Sequence, residues 1–463
     1  MLYPSRSLRR AKVLARLALV AIIATAAPVA AINSELPSLG ENSKINIERE
    51  TRLGRSVYER LMASGLIETD PLLDRYLNDL GFRLLAGLEN RVRDYRFFIV
   101  SDSSVNAFAL PGGYIGVNLG LIYHARSQHQ LASVLAHEIS HVELMHGMDM
   151  LRKGSEVNTA TLLTMLAGLL LGGVDSQLGS AVLFGGAAGG QQAMVNFTRE
   201  NEYEADRLGI ELLYDAGFDT NGMAEFFTIM SRLSGSSEIG NIEYLRTHPL
   251  DSNRIAEAAN RAAGHQQGRN QVDDYGLFKD YLLYVSSDHL PDQGSDYLRA
   301  LAAMKSAQYQ RADELLGALY QVNDENIWYA VAYAENLQFQ RRVSDAEAVY
   351  RHLLQIFPGD FAVSMRLLRL LSQAGRHREA LEIARRLEIE FPHEQSVYFA
   401  LSEIYKSLQQ PALQWMAEAE FHMLNGNIQQ SVRLYDQVLK QPGADPTTVA
   451  KAREKRLQLL ERQ

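Results

Sequence analysis

The amino-acid sequence predicts a mostly α-helical (α+β) protein: an N-terminal domain with one small β-sheet, followed by a C-terminal α-solenoid. Three observations predict this class. Apolar residues recur at helical spacing along most of the 463 residues. The stretch "YRFFIVSDSSVNAFALPGGYIGVNLGLI" is instead rich in aromatic and β-branched residues and is broken by Pro-Gly-Gly. The C-terminal part repeats with the 34-residue period of stacked helical hairpins.

The first residues are typical of an export signal. "MLYPSRSLRRAKVLAR" carries five basic residues and no acid, and the apolar run that follows, "LALVAIIATAAPVAA", ends in small residues. We expect a signal peptide over residues 1–31, cleaved after Ala31. A retained anchor is the alternative, but the run of about fifteen residues is shorter than the roughly 20 that a membrane span needs.

Composition restricts the functional classes. Loss of the five cations of residues 1–31 changes the formal charge from −9 to −14 (−9 − 5 = −14), and a chain this acidic binds nucleic acid poorly. The absence of cysteine excludes disulfide bonds and a cysteine-linked lipid. We therefore expect a soluble protein of an extracytoplasmic compartment, the bacterial periplasm, with at most peripheral membrane contact.

The N-terminal domain is predicted over residues 32–270. Helical patterns fill residues 40–95, and the strand-rich stretch predicts two or three strands with a tight turn at "PGG". "HQLASVLAHEISHVELMHG" and "FTRENEYEADRLGIELLYDAG" are helical again, and the second ends at Gly217. "EYLRTHPLDSNRIAEAANRAAG" predicts a loop followed by a helix.

Residues 161–190 are unusually apolar. Their longest apolar run, Leu162–Leu171, has about ten residues, which is too few to span a bilayer. One interpretation is a buried helical hairpin, and another is a flap that touches a membrane or covers the active site. A membrane anchor in this segment is the third hypothesis.

A polar linker is predicted over residues 271–294 and a repeat domain over 295–463. Small residues recur 34 positions apart (346 − 312 and 380 − 346), namely Ala312, Ala346 and Ala380. This period is the tetratricopeptide signature, although a generic array of α-hairpins would present a similar binding scaffold. Ser431 occupies the small position of a last pair that is out of phase, since 431 − 380 is 51.

The segment "LAHEISHVELMHG" carries the pattern H-E-x-x-H. His137 and His141 are one helical turn apart, so both imidazoles can reach one metal ion, and Glu138 beside them can act on a water molecule. His146 lies about 180° from His137 on an ideal helix, so we expect it on the surface or behind the ligands. Glu143 is also expected to point away.

A further metal ligand must come from another segment, and "ENEYEAD" offers four acids. Glu202 and Asp206 share one helix face, so either one can bind the metal while the other hydrogen-bonds a ligand imidazole. Glu204 lies about 160° from Asp206 and is expected to be solvated.

Four motifs in this order, "NAFALPGG", "HEISH", "ENEYEAD" and "THPLDSNRI", resemble the zinc peptidases related to CAAX prenyl protease and heat-shock protease X. With an export signal and C-terminal tetratricopeptide repeats, the chain is similar to the periplasmic branch of that family. The resemblance implies a zincin, gluzincin-like protease domain. It implies one Zn²⁺ per chain held by His137, His141 and Glu202, Glu138 as general base, and Asp206 as an acid behind the ligands.

The resemblance also extends to the loop after the acidic helix. It implies that His248 can occupy the open position of the metal or assist the transition state. Arg254, in the next helix, is expected to orient that loop or to pair with an acid. Substrate is expected to add as an extended strand beside Asn106, Ala107, Phe108, Ala109 and Leu110.

The sequence therefore predicts a zinc metalloendopeptidase of protein quality control. The resemblance implies unfolded or misassembled outer-membrane β-barrel proteins as substrates, which the enzyme degrades or helps to assemble. It also implies contact between the repeats and the barrel-assembly machinery. The alternative is a chaperone-like tetratricopeptide adaptor of that machinery with a latent zinc site.

Overall fold

A computed structural model of the chain describes residues 42–88, 93–147, 188–234, 242–265 and 273–461. The prediction of a mostly α-helical chain with one small sheet is confirmed for these residues. The predicted signal peptide and residues 161–187 of the apolar segment lie outside them, so the interpretations of both stay predictions. No helix in the described ranges is long and apolar enough to cross a membrane.

The chain divides into two compact units. Within the described ranges, the first unit runs from residue 42 to Thr69 and from Asp74 to Gly276. The second unit contains Asp70–Leu73 and the chain from Leu277 onward.

The first unit combines eight described helices with the sheet. Most of these helices are amphipathic and cover the sheet or each other. Their bounds are α1 Asn42–Ala63, α2 Pro71–Leu85, α3 Leu119–His124, α4 Gln128–Glu143, α5 Ala188–Asp215, α6 Asn221–Ser234, α7 Glu243–Thr247 and α8 Ser252–Ala263.

The sheet has three strands in the order β1-β3-β2, with β1 Arg96–Val100, β2 Ala107–Leu110 and β3 Tyr114–Asn118. β1 runs parallel to β3, and β2 runs antiparallel to it with Leu110 opposite Tyr114. Gly112 and Gly113 make the turn between β2 and β3 with φ of 78° and 91°. A Cβ on Gly112 would also lie 2.5 Å from the Thr51 Cα, so the turn requires glycine.

Small residues bring α5 close to α4. Ala136 and Ala205 are fully buried, and a Cβ added to Gly209 would lie 3.3 Å from the His137 backbone nitrogen. α4 carries the H-E-x-x-H pattern, and α5 carries the acidic residues of "ENEYEAD". The close approach therefore brings the two sets of polar residues within reach of one another.

The second unit is a series of helices. Their bounds are α9 Tyr275–Ser286 (whose first two residues belong to the first unit), α10 Asp296–Lys305, α11 Tyr309–Val322, α12 Ile327–Phe339, α13 Val343–Ile356, α14 Phe361–Gln373, α15 His377–Glu390, α16 Gln395–Ser407, α17 Pro411–Leu424, α18 Ile428–Lys440 and α19 Pro446–Leu460. The predicted linker 271–294 thus contains a helix, α9, whose aromatic residues Phe278 and Tyr281 are fully buried. They contact Trp328 of α12, and this packing explains why a segment predicted as a linker forms a helix.

The helices from α10 repeat as the sequence predicts. Ala312, Ala346 and Ala380 are completely buried where paired helices approach each other. Turns with positive φ follow α10, α12, α14 and α16 at 34-residue steps (341 − 307, 375 − 341, 409 − 375), at Ala307, Arg341, Gly375 and Gln409. The next such turn, after α17, comes only 17 residues later at Gly426 (426 − 409), where the period breaks.

A buried ion-pair network lies in the second unit. Arg366 of α14 is 6% exposed and donates to Asp70 at 2.9 Å and to Glu335 of α12 at 3.0 Å. Its guanidinium also donates to the Tyr281 hydroxyl at 2.8 Å. Removing one partner of such a network leaves a buried charge without compensation, which costs far more than the loss of a surface pair.

We expect Arg366→Ala to lower the free energy of unfolding of the second unit by about 3–5 kcal/mol. The control Arg342→Ala removes an arginine that is 42% exposed and should cost about 1 kcal/mol or less. Both tryptophans, Trp328 and Trp415, belong to this unit, so tryptophan fluorescence during urea unfolding reports on it selectively. Equal midpoints for the two variants would contradict the prediction.

Candidate metal centre

The two histidines of the H-E-x-x-H pattern lie on one face of α4. The helix begins where the Ser127 hydroxyl accepts from the Gln130 backbone N–H. His137 is fully buried and the His141 side chain is 13% exposed. Their Nε2 atoms lie 3.0 Å apart, so both rings direct one nitrogen to the same point.

Glu202 reaches the same point from α5. Its carboxylate oxygens lie 3.4 Å from His137 Nε2 and 3.3 Å from His141 Nε2. The residues alone left open whether Glu202 or Asp206 faces the two histidines. Glu202 is the one that approaches both Nε2 atoms.

His248 completes the cluster from the end of α7. Its backbone N–H closes that helix on the Tyr244 carbonyl, and its ring stacks on the Tyr244 ring with centroids 4.7 Å apart. His248 Nδ1 lies 3.2 Å from His137 Nε2 and 3.1 Å from Glu202 Oε1. Tyr244, which the sequence analysis did not single out, therefore sets the direction of this imidazole.

These four side chains can hold one metal ion. Their ligand atoms, three imidazole nitrogens and one carboxylate oxygen, all lie within 4.8 Å of one another, and the closest pairs are 3.0–3.4 Å apart. Atoms bound at about 2.0–2.1 Å in a tetrahedron are roughly 3.3–3.4 Å apart. The donor set and its spacing therefore fit a metal.

Asp206 and Arg254 support the cluster from behind. Asp206 Oδ1 lies 2.9 Å from His137 Nδ1, the ring nitrogen that faces away from the other ligands. Arg254, only 2% exposed, donates to both Asp206 oxygens at 2.8 and 2.9 Å and lies 2.8 Å from Glu202 Oε2. It also donates to the carbonyl of Pro249, which follows His248. One guanidinium thus joins both carboxylates to the histidine loop.

The charges of the cluster shift its protonation equilibria strongly. Burial opposes a positive charge on His137, but Asp206 and Glu202 outweigh it and raise the pKa of His137 to about 10. Burial lowers the pKa of His141 to about 3. Burial favours the neutral acid of Glu202, yet His248 and the other histidines hold its pKa well below the usual value. The surroundings thus keep Glu202 ionised and favour positive charge on His137 but not on His141.

Glu138 faces the cluster from a different side of α4. Its Oε1 lies 3.5 Å from His248 Nε2, and the backbone N–H of Ala109 is near enough to its carboxylate to lower its pKa. Complete burial raises the pKa of Glu138. A carboxylate with a raised pKa, next to a metal cluster and not among its closest donors, has the properties of a general base.

The predicted substrate strand is an edge of the described sheet. β2 covers Ala107–Leu110 and pairs with β3 on one side only. Asn106 precedes the strand, and its carbonyl accepts from the Asn118 backbone N–H. Because the Ala109 backbone N–H acts on the Glu138 carboxylate, this edge and the cluster are neighbours.

Two further residues lie beside the cluster. His146 lies behind the ligands, which is one of the two places expected for it; because the helix ends at Glu143, its Nδ1 comes within 3.0 Å of His141 Nδ1. Glu204 is 58% exposed, as expected, but also lies 3.3 Å from His146. Glu143 points away from the cluster and accepts from the Tyr95 hydroxyl.

Both units are similar to known protein families. A model of Peptidase family M48 matches residues 71–262, and a model of the Tetratricopeptide repeat matches residues 340–404. The chain is 30% identical over 423 residues to the Beta-barrel assembly-enhancing protease of Escherichia coli (strain K12), covering 86% of each chain. It is 28% identical over 421 residues to the protein of the same name from Yersinia pestis, with 86% of each chain covered.

A more distant relative matches the N-terminal part. The Mitochondrial metalloendopeptidase OMA1 of Schizosaccharomyces pombe is 26% identical over 235 residues, which are 50% of this chain and 66% of that protein.

We expect Arg254→Ala to destabilise the first unit by about 3–5 kcal/mol, because Asp206 and Glu202 would remain buried without their cation. The matched control is Arg261→Ala on the same helix, whose side chain is 41% exposed and should contribute about 1 kcal/mol or less. Urea unfolding followed by circular dichroism measures both. A midpoint for Arg254→Ala equal to that of the control would contradict this role.

Proposed function

Because the chain belongs to peptidase family M48, in the group of the β-barrel assembly-enhancing proteases, we propose that this metallopeptidase is a zinc-dependent endopeptidase of the periplasm. The observation that carries the proposal is the convergence of four donor atoms beside the buried carboxylate of Glu138. A purely structural metal site needs no such general base. The presence of Glu138 therefore supports a catalytic role for the site in addition to metal binding.

The metal ligands in this proposal are His137, His141 and Glu202. Two imidazoles and a carboxylate are a donor set typical of catalytic zinc, and they leave a further position for substrate or water. When bound, zinc supplies a Lewis acid that polarises the peptide carbonyl and activates water. Asp206 holds the ring of His137 from the opposite nitrogen, as carboxylates behind zinc ligands do.

Glu138 moves the protons of the reaction. It takes a proton from the attacking water and delivers it to the nitrogen of the leaving amine. Burial raises its pKa, which brings a carboxylate closer to the proton affinity that both transfers require. The carboxylate lies near the Ala109 N–H of β2, the side on which we place the peptide.

The substrate is proposed to bind as an added strand along β2, residues Asn106–Leu110. An edge strand offers main-chain donors and acceptors to an extended peptide, so recognition depends more on backbone than on side chains. Such binding accepts only segments that are already unfolded. It selects misfolded or stalled proteins over well-packed ones.

The relatives are named β-barrel assembly-enhancing proteases. We propose that the clients of this chain are outer-membrane β-barrel proteins that are unfolded or misassembled. In this proposal residues 1–31 export the chain, and the repeats hold the client or contact the assembly machinery. The alternative function is a chaperone-like adaptor with a silent metal site. The repeats support both functions, because stacked helical hairpins form extended binding surfaces.

We expect Glu138→Gln to bind zinc like the parent but to cleave at least about 100-fold more slowly, because it lacks the general base. The mature chain, residues 32–463, is incubated with an unfolded outer-membrane barrel protein, and cleavage and zinc content are measured. The control Glu143→Gln makes the same change on the same helix.

Two results would count against the proposal. Cleavage by Glu138→Gln at the parent rate would exclude Glu138 as the base. A parent that holds zinc and retains the client without cutting it would favour either the adaptor or a latent enzyme, and only a His248→Ala variant that also fails to cut would favour the adaptor.

We further propose that His248 occupies the remaining metal position at rest and keeps the enzyme latent until its loop moves. Its Nδ1 lies as close to His137 and Glu202 as the other donors do. The loop is anchored by Arg254 through the Pro249 carbonyl, so its displacement must break a hydrogen bond to a buried guanidinium. Latency would protect properly assembling proteins from cleavage.

His248→Ala is expected to raise the cleavage rate several-fold, because the position is then open to substrate. The exposed His289→Ala serves as the control, and initial rates on the same unfolded client are compared at equal zinc content. A fall in rate would show instead that His248 assists the transition state. An unchanged rate would exclude both roles.

A further inference from the structure

The chain turns back on itself at the end of α4. The helix ends at Glu143, and Met145 adopts φ of 59°, a left-handed conformation that is uncommon for a residue with a Cβ. This turn returns the next side chain, His146, to the helix it has just left. Its ring centroid lies 5.0 Å from that of His141, and its side chain is only 8% exposed.

His146 contacts the ring nitrogen of His141 that does not face the cluster. His141 directs Nε2 towards Glu202 Oε1 at 3.3 Å, and its Nδ1 lies 3.0 Å from His146 Nδ1. The other nitrogen of His146, Nε2, lies 3.3 Å from Glu204 Oε2 on α5. The three side chains form a continuous row from the cluster to the surface.

The protons of this row can be placed by chemistry alone. A neutral imidazole that offers its Nε2 lone pair to a metal must carry its proton on Nδ1. His141 Nδ1–H then donates to His146 Nδ1, which accepts. His146 must in turn carry its proton on Nε2, where Glu204 is available as the acceptor.

We propose that His146 and Glu204 are positioning residues that fix the ring orientation and tautomer of His141 for metal binding. This inference rests on the proposed metal site and deepens it. It parallels the role of Asp206, which lies 2.9 Å from the Nδ1 of His137. His137 and His141 thus each have a partner on the Nδ1 that faces away from the cluster. α5 supplies the carboxylate at the end of each path, Asp206 for His137 and Glu204 for His141.

The experiment compares zinc affinities of variants of the mature chain, measured by competition with a chromophoric chelator. His146→Leu keeps the approximate volume and removes the acceptor, and it should weaken zinc binding about 10–100-fold. His146→Gln retains an acceptor oxygen and should restore most of that loss. This pair of variants separates the hydrogen bond from packing.

Glu204→Ala should weaken zinc binding less than His146→Leu does. The double variant should bind zinc as weakly as His146→Leu alone, because Glu204 acts through His146. The control is Glu211→Ala, an exposed glutamate on the same helix, which should bind zinc like the parent. Long-range ¹H–¹⁵N spectra of the zinc-free chain report the tautomer of His141 before a metal ion can fix it. The spectrum of Glu204→Ala should show a mixed or changed tautomer at that ring.

The outcomes separate this inference from the proposed function. A parent chain that binds no zinc would overturn the metal site itself. Two other results would overturn only the positioning role in a parent that binds zinc. One is a zinc affinity of His146→Leu equal to that of the parent, and the other is a zinc affinity of His146→Gln as low as that of His146→Leu. If His146→Leu does not fold, the surface variant Glu204→Ala tests the positioning role. A zinc affinity and a His141 tautomer equal to those of the parent and of Glu211→Ala would then overturn that role.

Discussion

The buried guanidinium of Arg254 is the interaction on which the metal centre depends. Asp206 and Glu202 lie on one face of α5 inside the protein, where two carboxylates without a cation would repel each other and lack solvent. Arg254 compensates both and also holds the Pro249 carbonyl beside His248. The carboxylates can therefore stay ionised, which is the form that binds a metal and orients His137. The same contact keeps the histidine loop in place.

The close packing of α4 and α5 makes this arrangement possible. Gly209 and the neighbouring alanines let the helices approach until Glu202 reaches both imidazoles. A Cβ at Gly209 would lie 3.3 Å from the His137 backbone nitrogen, so a bulkier residue at this crossing would push against α4. Glu138, on the same helix as the histidines, lies near the edge of the sheet at Ala109. Helix packing thus places the ligands, and the base lies between them and the sheet.

Much of the architecture could be predicted because it depends on local patterns. The helical spacing, the strand-turn-strand stretch and the 34-residue period of Ala312, Ala346 and Ala380 are properties of short segments, and each element formed as expected. The fold class and the peptidase family followed from them and from the quoted motifs. The helix at Tyr275–Ser286 was missed because polar residues flank it on both sides, and its aromatic side chains become buried only against other helices.

The sequence by itself determined which chemistry is available: two histidines one turn apart with a glutamate beside them, and two acids one turn apart on another helix. Helical periodicity is enough to place such residues on one face. Helical spacing left open which of the two acids faces the histidines, and only the family resemblance assigned Glu202. The tertiary structure decided that Glu202 faces them while Asp206 lies behind, because this depends on how α5 is rotated against α4. The same is true of His146, because the left-handed turn at Met145 ends the periodicity from which its position was projected.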